Sequence, residues 1–496
     1  MAGAGGGRLG RSWRRFRRRS GTVQIVSLLV AVILVVAIIF AVGAGSPAKN
    51  KGSATPDTVV TPVHASTSSA GVTANSIRVV FPVSNLSSLA STFGFAGDIE
   101  YSEQSKGIKL FVKLINDAGG INGRKIVPEI VNFDPTNESQ MRALCKDWTD
   151  GSSPAFAVLD GVGTWTGDNQ LCITQEGHTP LLSQWTTVTN WTQEGSPYLW
   201  WTGPDDAAIL QATVGWGLSA GLLGNNIKVG VIAGNRASDE VALNQYLLPD
   251  LKRAGITPIV KTIASDPSET ATTNTQAPLV IQQLHSAGIT SVIPLIPFNV
   301  FFPVLQAETQ QQYYPKLLLS DYNGSIESAL GLLPLPYAKA LNGQEGVTTE
   351  TLGGIDSPRP ESQGGYNTGV RKCWTVWHKA YPQTPPGNMN DHIEEQGPIA
   401  GWCQVIALFA TAAKDAGPDL NRRTFVTAMS KITDFPGTWS NVLSYGPDKR
   451  YGPTEYQVVK LRVNSPPSPL CKTTAGRPPP ATCWVSVQPY APLPAG

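Results

Sequence analysis

The stretch that decides the fold runs from Gly107 to Asp134 and reads GIKLFVKLIN, DAGGINGRK and IVPEIVNFD in succession. The apolar residues of its first part recur at helical spacing and predict a helix with one face packed on a sheet. They are Ile108, Phe111, Val112 and Ile115. Gly119-Gly120 ends this helix, because glycine adopts the left-handed backbone conformation without a steric clash. After a tight turn, Ile126–Phe133 reads as a strand, and this succession is one unit of an α/β sheet.

The phrase INDAGGINGRKI, residues 115–126, followed by a strand that ends in Asp134, resembles the first helix and second strand of the type I periplasmic-binding-protein fold. It is most similar to the leucine/isoleucine/valine-type substrate-binding proteins of ABC importers. The order of elements over roughly residues 76–463 resembles the same family. The resemblance implies an α/β protein of two doubly wound parallel-sheet lobes with a hinge, which enclose a ligand between them.

The resemblance also implies how the chain is divided. Lobe one would hold residues 76–198 and 324–436, and lobe two would hold residues 199–323 and 437–463. The predicted strands are Ile77–Phe81, Ile126–Phe133, Pro154–Asp160, Thr179–Ser183, Ile227–Ala233, Thr257–Ile263, Ser291–Leu295, Lys316–Ser320 and Tyr456–Val463. The predicted helices are Ser139–Trp148, Asn169–Gln175, Asp205–Gly217, Asp239–Ala254, Gln276–Ala287, Tyr366–Tyr381, Pro398–Ala416 and Thr424–Ser430.

The N-terminal segment predicts a membrane anchor. Seven arginines lie between Arg8 and Arg19, and Val23–Ala44 is almost wholly apolar and long enough to span a bilayer. Residues 1–21 are therefore predicted to be a basic cytoplasmic segment and 22–44 a transmembrane signal-anchor, with everything after it on the extracytoplasmic side. Residues 45–75 read as a flexible linker. A cleaved signal peptide, which would leave the protein secreted, is the alternative.

The rest of the chain is mildly acidic. Beyond the arginine-rich segment it carries 31 basic against 36 acidic groups, a balance of −5. The basic charge is thus local, which argues against a nucleic-acid partner for the folded part.

Six cysteines in an exported chain predict disulfide bonds, although their number permits 15 connectivities. Neighbour order suggests the pairs Cys145–Cys172, Cys373–Cys403 and Cys471–Cys483. The spacing CxxC does not occur, so a zinc ribbon has no support. Residues 464–496 contain nine prolines and are predicted to be a disulfide-clipped extension on the surface.

The turn Gly161–Gly167 follows a predicted strand and opens a helix, where free N–H groups attract anions. Its spacing, G-x-G-x-x-x-G, is not the dinucleotide fingerprint. In the resembled family the corresponding turn holds a ligand carboxylate with N–H and hydroxyl groups, which implies roles for Thr164 and Thr166, with Trp165 as a stacking wall. A purely structural turn is the alternative.

Further candidates end other strands. The family resemblance implies that Trp185, Thr186 and Thr187 lie near the ligand, Thr187 matching the family's hydroxyl residue and Trp185 reshaping the pocket. In lobe two, Asp321 is the candidate partner of a ligand ammonium, with helix capping as its alternative role. Asn235 and Phe298 are weaker candidates. The loop Pro82–Ser88 departs from the family's Gly-Pro-x-Thr-Gly.

Catalytic chemistry finds little support. None of the five histidines lies in an HExxH or nucleophile-elbow setting, and the DHIEE cluster at residues 391–395 reads as a solvated loop rather than a metal site. The sequence therefore predicts a solute-binding protein without cofactor or metal. Its ligand would be amino-acid-like, an amide or an aromatic acid, and its protein partner an ABC permease. A ligand sensor or scaffold and an exported enzyme are the alternatives.

Overall fold

The computed structural model of the protein describes residues 66–85, 101–165, 168–184, 189–224, 226–323, 338–350, 368–382, 397–465 and 481–495. All of them belong to one compact unit, Val63–Gly496. The predicted anchor and most of the linker lie outside the described residues, as do the DHIEE cluster, Thr166, Trp185, Thr186, Thr187 and Cys471. Within the described ranges, no helix has the length and hydropathy needed to cross a bilayer.

Five parallel strands form the first sheet, in the order β2-β1-β3-β4-β5. They are β1 (Ser76–Ser84), β2 (Lys125–Phe133), β3 (Ala157–Asp160), β4 (Leu181–Ser183) and β5 (Leu199–Trp201). The helices between them are α1 (Tyr101–Asp117), α2 (Glu138–Asp150), α3 (Asp168–Leu171) with a π-helical turn at Cys172–Glu176, and α4 (Thr189–Glu194). The predicted alternation of strand and helix is confirmed. Strand β3 begins later than predicted, because Ala155 N–H donates to Trp148 O of α2.

The stretch from Gly107 to Asp134 folds as its pattern predicts. The apolar stripe of α1 is buried against the first sheet, and the turn after it contains residues with positive φ at Gly119, Gly120, Asn122 and Gly123. At Gly120 the turn also requires a missing side chain, since a Cβ would lie 2.1 Å from Arg124 O. The glycine pair therefore both ends the helix and lets the chain return tightly into β2.

The second sheet runs β7-β6-β8-β9-β10-β13-β14. Its strands are β6 (Val229–Gly234), β7 (Ile259–Ile263), β8 (Ser291–Leu295), β9 (Lys316–Ser320), β10 (Glu345–Thr348), β13 (Glu455–Ser465) and β14 (Ala481–Ser486), with the short β15 (Ala491–Pro492) beside β13. Its helices are α5 (Asp206–Ser219), α6 (Ala237–Val241), a π-helical turn Ala242–Leu247, α7 (Leu248–Arg253), α8 (Thr270–Ser286), α9 (Phe298–Gln311) and α10 (Ala338–Leu341). Strands β6 to β10 are parallel to one another, whereas β13 pairs antiparallel with both β10 and β14.

Sheet membership corrects the predicted lobe boundaries in two places. Strand β5 belongs to the first sheet, although lobe two was predicted to begin at residue 199; its residues are fully buried and pair with β4. Strand β10 belongs to the second sheet, although 324–436 was assigned to lobe one; it pairs with β9 and β13. The boundaries between the two sheets therefore lie closer to the C-terminus than the resemblance predicted.

Two further elements differ from expectation. Strand β14 joins the second sheet with Val485 buried, so part of the predicted surface extension 464–496 is sheet. Helix α9 was not predicted, and it continues through Pro303. It forms because its apolar face, which includes Phe301 and Leu305, is buried in the core of this sheet.

The last third of the chain returns to the first sheet. It contains α11 (Thr368–Ala380), a π-helical turn at Gly397–Trp402, α12 (Cys403–Asp415), α13 (Arg422–Met429) and the small hairpin of β11 (Phe435–Pro436) and β12 (Val442–Leu443). Helix α12 packs into the same core as α1. Two predicted disulfides are confirmed: Cys145–Cys172 joins α2 to the π-helical turn after α3, and Cys373–Cys403 joins α11 to α12.

The chain crosses between the two sheets three times, after β5, after β10 and after β12. Ser440 lies where these crossings meet. Its hydroxyl donates to Thr202 O, just beyond β5, at 3.0 Å, and its backbone forms a bridge with Glu350, just beyond β10. The carboxyl ends of the two sheets therefore approach each other at Ser440.

Candidate functional site

The carboxyl ends of β1, β3 and β4, here called the first edge, present a row of polar residues. Ser84 ends β1, Asp160 ends β3, and Ser183-Gln184 ends β4. Parallel strands place these ends at the same side of the sheet, which is where open α/β sheets bind ligands. The first edge is therefore the first place to look for a site.

The Asp160 carboxylate accepts hydrogen bonds from the backbone N–H groups of the turn that follows β3. This fully buried carboxylate accepts from the backbone N–H of Gly163 (2.8 Å), Thr164 (3.3 Å) and Trp165 (2.9 Å). The Ser183 hydroxyl donates to it at 3.3 Å. Burial raises the pKa of Asp160 to about 6 against the opposing effect of the N–H donors, so the group is mainly ionised at neutral pH. The turn already holds a carboxylate, and that carboxylate belongs to the chain itself.

Three buried glutamines at the first edge keep hydrogen-bonding capacity unused. Gln184 is 2 % exposed, and neither Oε1 nor Nε2 has a partner within the part of the chain that the structure describes. Gln104 donates through Nε2 to Ser84 O at 2.8 Å, which leaves Oε1 unpaired, and Gln404 accepts from Thr438 N–H at 2.8 Å, which leaves Nε2 unpaired. Buried polar groups are normally paired, so several unpaired groups at one edge make it a candidate site.

The turn Gly397–Trp402 covers the first edge, and two glycines make the close approach possible. A Cβ at Gly161 would lie 2.5 Å from Cε3 of Trp402. A Cβ at Gly401 would lie 1.7 Å from Gly161 O and 2.4 Å from Oε1 of Gln184. Since Gln404 follows Gly401 by less than one helical turn, Gln184 and Gln404 are held in the same corner.

The carboxyl ends of β6 to β10, here called the second edge, hold a hydrogen-bonded network around Asp239. This fully buried carboxylate accepts two bonds from Arg236 (2.8 and 2.9 Å), one from the Ser265 hydroxyl (2.7 Å) and one from the Tyr322 hydroxyl (3.0 Å). Asn235 Oδ1 accepts from Ser265 N–H at 2.9 Å. The side-chain charge of Arg236 is thus matched by Asp239.

Other carboxyl groups also lie at the second edge. Asp206, at the start of α5, is 2 % exposed, and burial together with the charges of Asp205 and Asp239 raises its pKa well above the ordinary value. Asp321 accepts from the backbone N–H and the hydroxyl of Thr349, at 2.7 and 2.8 Å, and burial raises its pKa to about 6. Asp321 thereby ties the end of β9 to the end of β10.

The structure brings some of the sequence-predicted ligand residues to the two edges. Thr164 lies in the turn around Asp160 with its Oγ1 unpaired among the described residues, and Asn235 and Asp321 lie at the second edge. Phe298 is the first residue of α9, and its side chain is outside the described part. The predicted ligand contacts of Thr164, Asn235, Phe298 and Asp321 stay predictions.

Trp165 is placed in the core rather than at an open surface. The residue is fully buried, its ring contacts those of Trp148 (4.7 Å between centroids) and Phe133 (5.1 Å), and its Nε1–H donates to Asn169 O at 3.0 Å. These ring contacts and the bond to Asn169 O stabilise α3 and the turn before it. Its predicted stacking on a ligand also stays a prediction.

Sequence reasoning did not nominate Asp160 or the three glutamines. Asp160 carried a readable signal, since an aspartate before a glycine-rich turn often accepts its backbone N–H groups. The glutamines carried none, because Gln104, Gln184 and Gln404 come from three distant segments that only the fold brings together. No group of three or more His, Cys, Asp or Glu side chains is arranged to hold a metal ion in the described ranges.

With this architecture in place, the chain can be assigned to a family. It belongs to the periplasmic binding proteins, whose family model matches residues 91–465. The resemblance read from residues 115–126, to type I proteins of the leucine/isoleucine/valine class, is confirmed. The family is one of solute-binding proteins rather than enzymes.

Solved structures with the same fold include ABC transporter and solute-binding proteins. A fatty acid ABC transporter substrate-binding protein from Thermomonospora curvata is 15% identical, with a TM-score of 0.57, and the match covers 85% of this chain and 93% of that one. A solute-binding protein from Rhodopseudomonas palustris BisB5, in complex with 3,4-dihydroxy benzoic acid, is 13% identical with a TM-score of 0.57 and coverage of 84% and 98%. A branched chain amino acid ABC transporter protein from Thermus thermophilus, with bound valine, is 12% identical with a TM-score of 0.56 and coverage of 84% and 96%. No curated protein sequence matches the chain.

Proposed function

We propose that the protein is an extracytoplasmic solute-binding protein of an ABC importer, held to the membrane by the transmembrane segment 22–44. It captures a small polar or amphipathic molecule, which is amino-acid-like, an amide or an aromatic acid, and delivers it to a permease. Binding is reversible and involves closure of two lobes without covalent chemistry.

The observation that carries this proposal is the set of unpaired, buried polar atoms at the first edge, on Gln184, Gln104 and Gln404. Leaving such a group unsatisfied costs about 1–3 kcal/mol, which a folded chain tolerates where a ligand supplies the missing partners. The first edge also lies beside the second edge at Ser440, as expected for a ligand held between two lobes. The ligands of the related structures, valine and 3,4-dihydroxy benzoic acid, are of the proposed size and polarity.

The test is native mass spectrometry of the full-length chain, purified in detergent, before and after unfolding and refolding. We expect a discrete small molecule that leaves on unfolding, together with a thermal shift produced by at least one member of a library of amino acids, amides and aromatic acids. A chain that releases nothing and shows no shift with any of these compounds would refute a solute-binding role.

Membrane attachment is tested separately on membranes from cells that express the full chain. We expect the protein to resist alkaline carbonate extraction and to retain residues 1–44 when its intact mass is measured. A protein released into the soluble fraction with a mass that lacks this segment would show that the segment is a cleaved signal peptide.

A further inference from the structure

The proposed ligand meets a first edge whose anion-binding groups are already engaged. The N–H groups of Gly163, Thr164 and Trp165 all point at the Asp160 carboxylate. A ligand carboxylate arriving at this turn therefore finds no free N–H groups there, and it also faces the negative charge of Asp160. Both effects disfavour an anionic group at the first edge.

The groups that remain available at the first edge are neutral and of both hydrogen-bonding kinds. Gln184 offers a donor, Nε2, and an acceptor, Oε1, in one planar amide. Gln104 adds an acceptor and Gln404 adds a donor. A planar group with one acceptor and an adjacent N–H donor can satisfy both atoms of Gln184 at once, whereas a carboxylate can satisfy only its donor.

The second edge adds no attraction for an anion. Among the described residues around Asp239, the only cationic side chain hydrogen-bonded to the network is Arg236, and Asp239 binds it in a bidentate manner. Asp205 and Asp321 contribute further carboxyl groups, whereas the raised pKa of Asp206 favours its neutral form. The charges at the first edge and at the second edge therefore both disfavour an anionic ligand.

We propose that the site recognises an uncharged amide-type group, a primary carboxamide or urea-like moiety, through Gln184, and that it discriminates against the corresponding carboxylate because Asp160 takes the carboxylate's place. This inference rests on the proposed function and narrows its ligand class. It makes Gln184 the residue that determines specificity and Asp160 an internal substitute for the ligand anion.

The experiment is isothermal titration calorimetry of the full-length chain in detergent at pH 7 with two matched pairs, leucinamide against leucine and benzamide against benzoate. We expect the amide of at least one pair to bind at least tenfold more tightly than its acid. Gln184→Met should lower the affinity for that amide at least tenfold, since the apolar side chain leaves both the C=O and the N–H group of the ligand's amide unpaired. Asp160→Asn should reduce the preference for amide over acid.

The matched controls are Gln344→Met, a buried glutamine of the second sheet, and Arg423→Ala on the surface. Each should leave the affinity for the amide within twofold in the folded protein. If every acid that binds does so as tightly as its amide, or if the Gln184→Met variant binds the amide normally, the inference is overturned while a solute-binding role stands. If no probe binds, the molecule released on unfolding decides: one with an amide group supports the inference and one without it overturns it. Release of nothing, with no binding, refutes the proposed function itself.

Discussion

Two buried glutamines, Gln344 and Gln184, differ in whether their amide groups are hydrogen-bonded, and the same substitution should destabilise the protein only at Gln344. Gln344 accepts from Leu317 N–H at 3.0 Å and donates to Pro315 O at 2.8 Å and Ala340 O at 3.1 Å. Replacement by methionine keeps the volume but removes all three bonds and leaves their backbone partners buried. At about 1 kcal/mol for each bond, Gln344→Met should lower the free energy of unfolding by about 3 kcal/mol.

Gln184→Met removes an amide that has no partner among the described residues. The unfolded chain regains hydration for this amide, whereas the ligand-free folded state leaves it unsatisfied at a cost of about 1–3 kcal/mol. Methionine carries no such cost and adapts to irregular spaces. The free energy of unfolding of the ligand-free Gln184→Met protein should therefore equal that of the wild type or exceed it by up to about 3 kcal/mol.

The assay is urea unfolding of the ligand-free full-length proteins, followed by circular dichroism and by tryptophan fluorescence, with the midpoint and the slope fitted for each variant. Coincident curves from the two probes are required before free energies are compared. The reasoning is refuted if Gln184→Met destabilises the protein by as much as Gln344→Met does. That result would mean that the amide of Gln184 is satisfied in the folded state.

Three further predictions concern stability. Replacing both Cys145 and Cys172 by alanine should lower the free energy of unfolding by about 3–4 kcal/mol, since their disulfide closes a loop with a sequence separation of 27. A destabilisation under about 1 kcal/mol would contradict this prediction. Arg422→Met should lower the free energy of unfolding by about 2–4 kcal/mol, because the buried guanidinium donates to Gly177 O and Ala155 O. Arg423→Met, at the exposed neighbouring position, should lower it by less than about 0.5 kcal/mol. Equal effects of the two substitutions would contradict the role given to Arg422. Burial raises the pKa of Asp160 to about 6, so the folded state binds more protons than the unfolded state between about pH 4 and 6. Protonation of Asp160 therefore contributes to stability below about pH 4, and this contribution is lost as the pH rises to about 6. Asp160→Asn should remove this pH dependence from urea titrations, and an unchanged pH profile would contradict the shift.

The sequence predicted the parts of the fold that local pattern determines. The glycine pair Gly119-Gly120 marked the end of α1, and strands β8 and β9 have the predicted bounds, because apolar runs between turn signals specify buried strands. Helix α9 was missed although Val300, Phe301, Val304 and Leu305 recur at helical spacing. Pro303 is the sixth residue of the helix, where it removes a backbone hydrogen-bond donor, and the burial of this apolar face in the core offsets that cost.

The lobe boundaries and most of the site depended on contacts between distant segments. Nothing within Glu345–Thr348 indicates which sheet it joins, since the answer lies in its pairing with β9 and β13. Gln104, Gln184 and Gln404 are ordinary polar residues in their own segments. Their unpaired state is a property of burial, which one-dimensional patterns do not contain.

The proposed function implies that closure and ligand affinity are coupled through the same unpaired groups. In this conformation Gln184 is 2 % exposed beneath the turn Gly397–Trp402, so a ligand reaches it only when the contacts around Gly161 and Gly401 separate. Without a ligand, the covered state retains unsatisfied amides, and that cost favours opening. A ligand that pairs with them removes the cost in the covered state alone, and a ligand shifts a conformational equilibrium only by such a difference in affinity. On this proposal, the polar atoms that select the ligand also make closure depend on it.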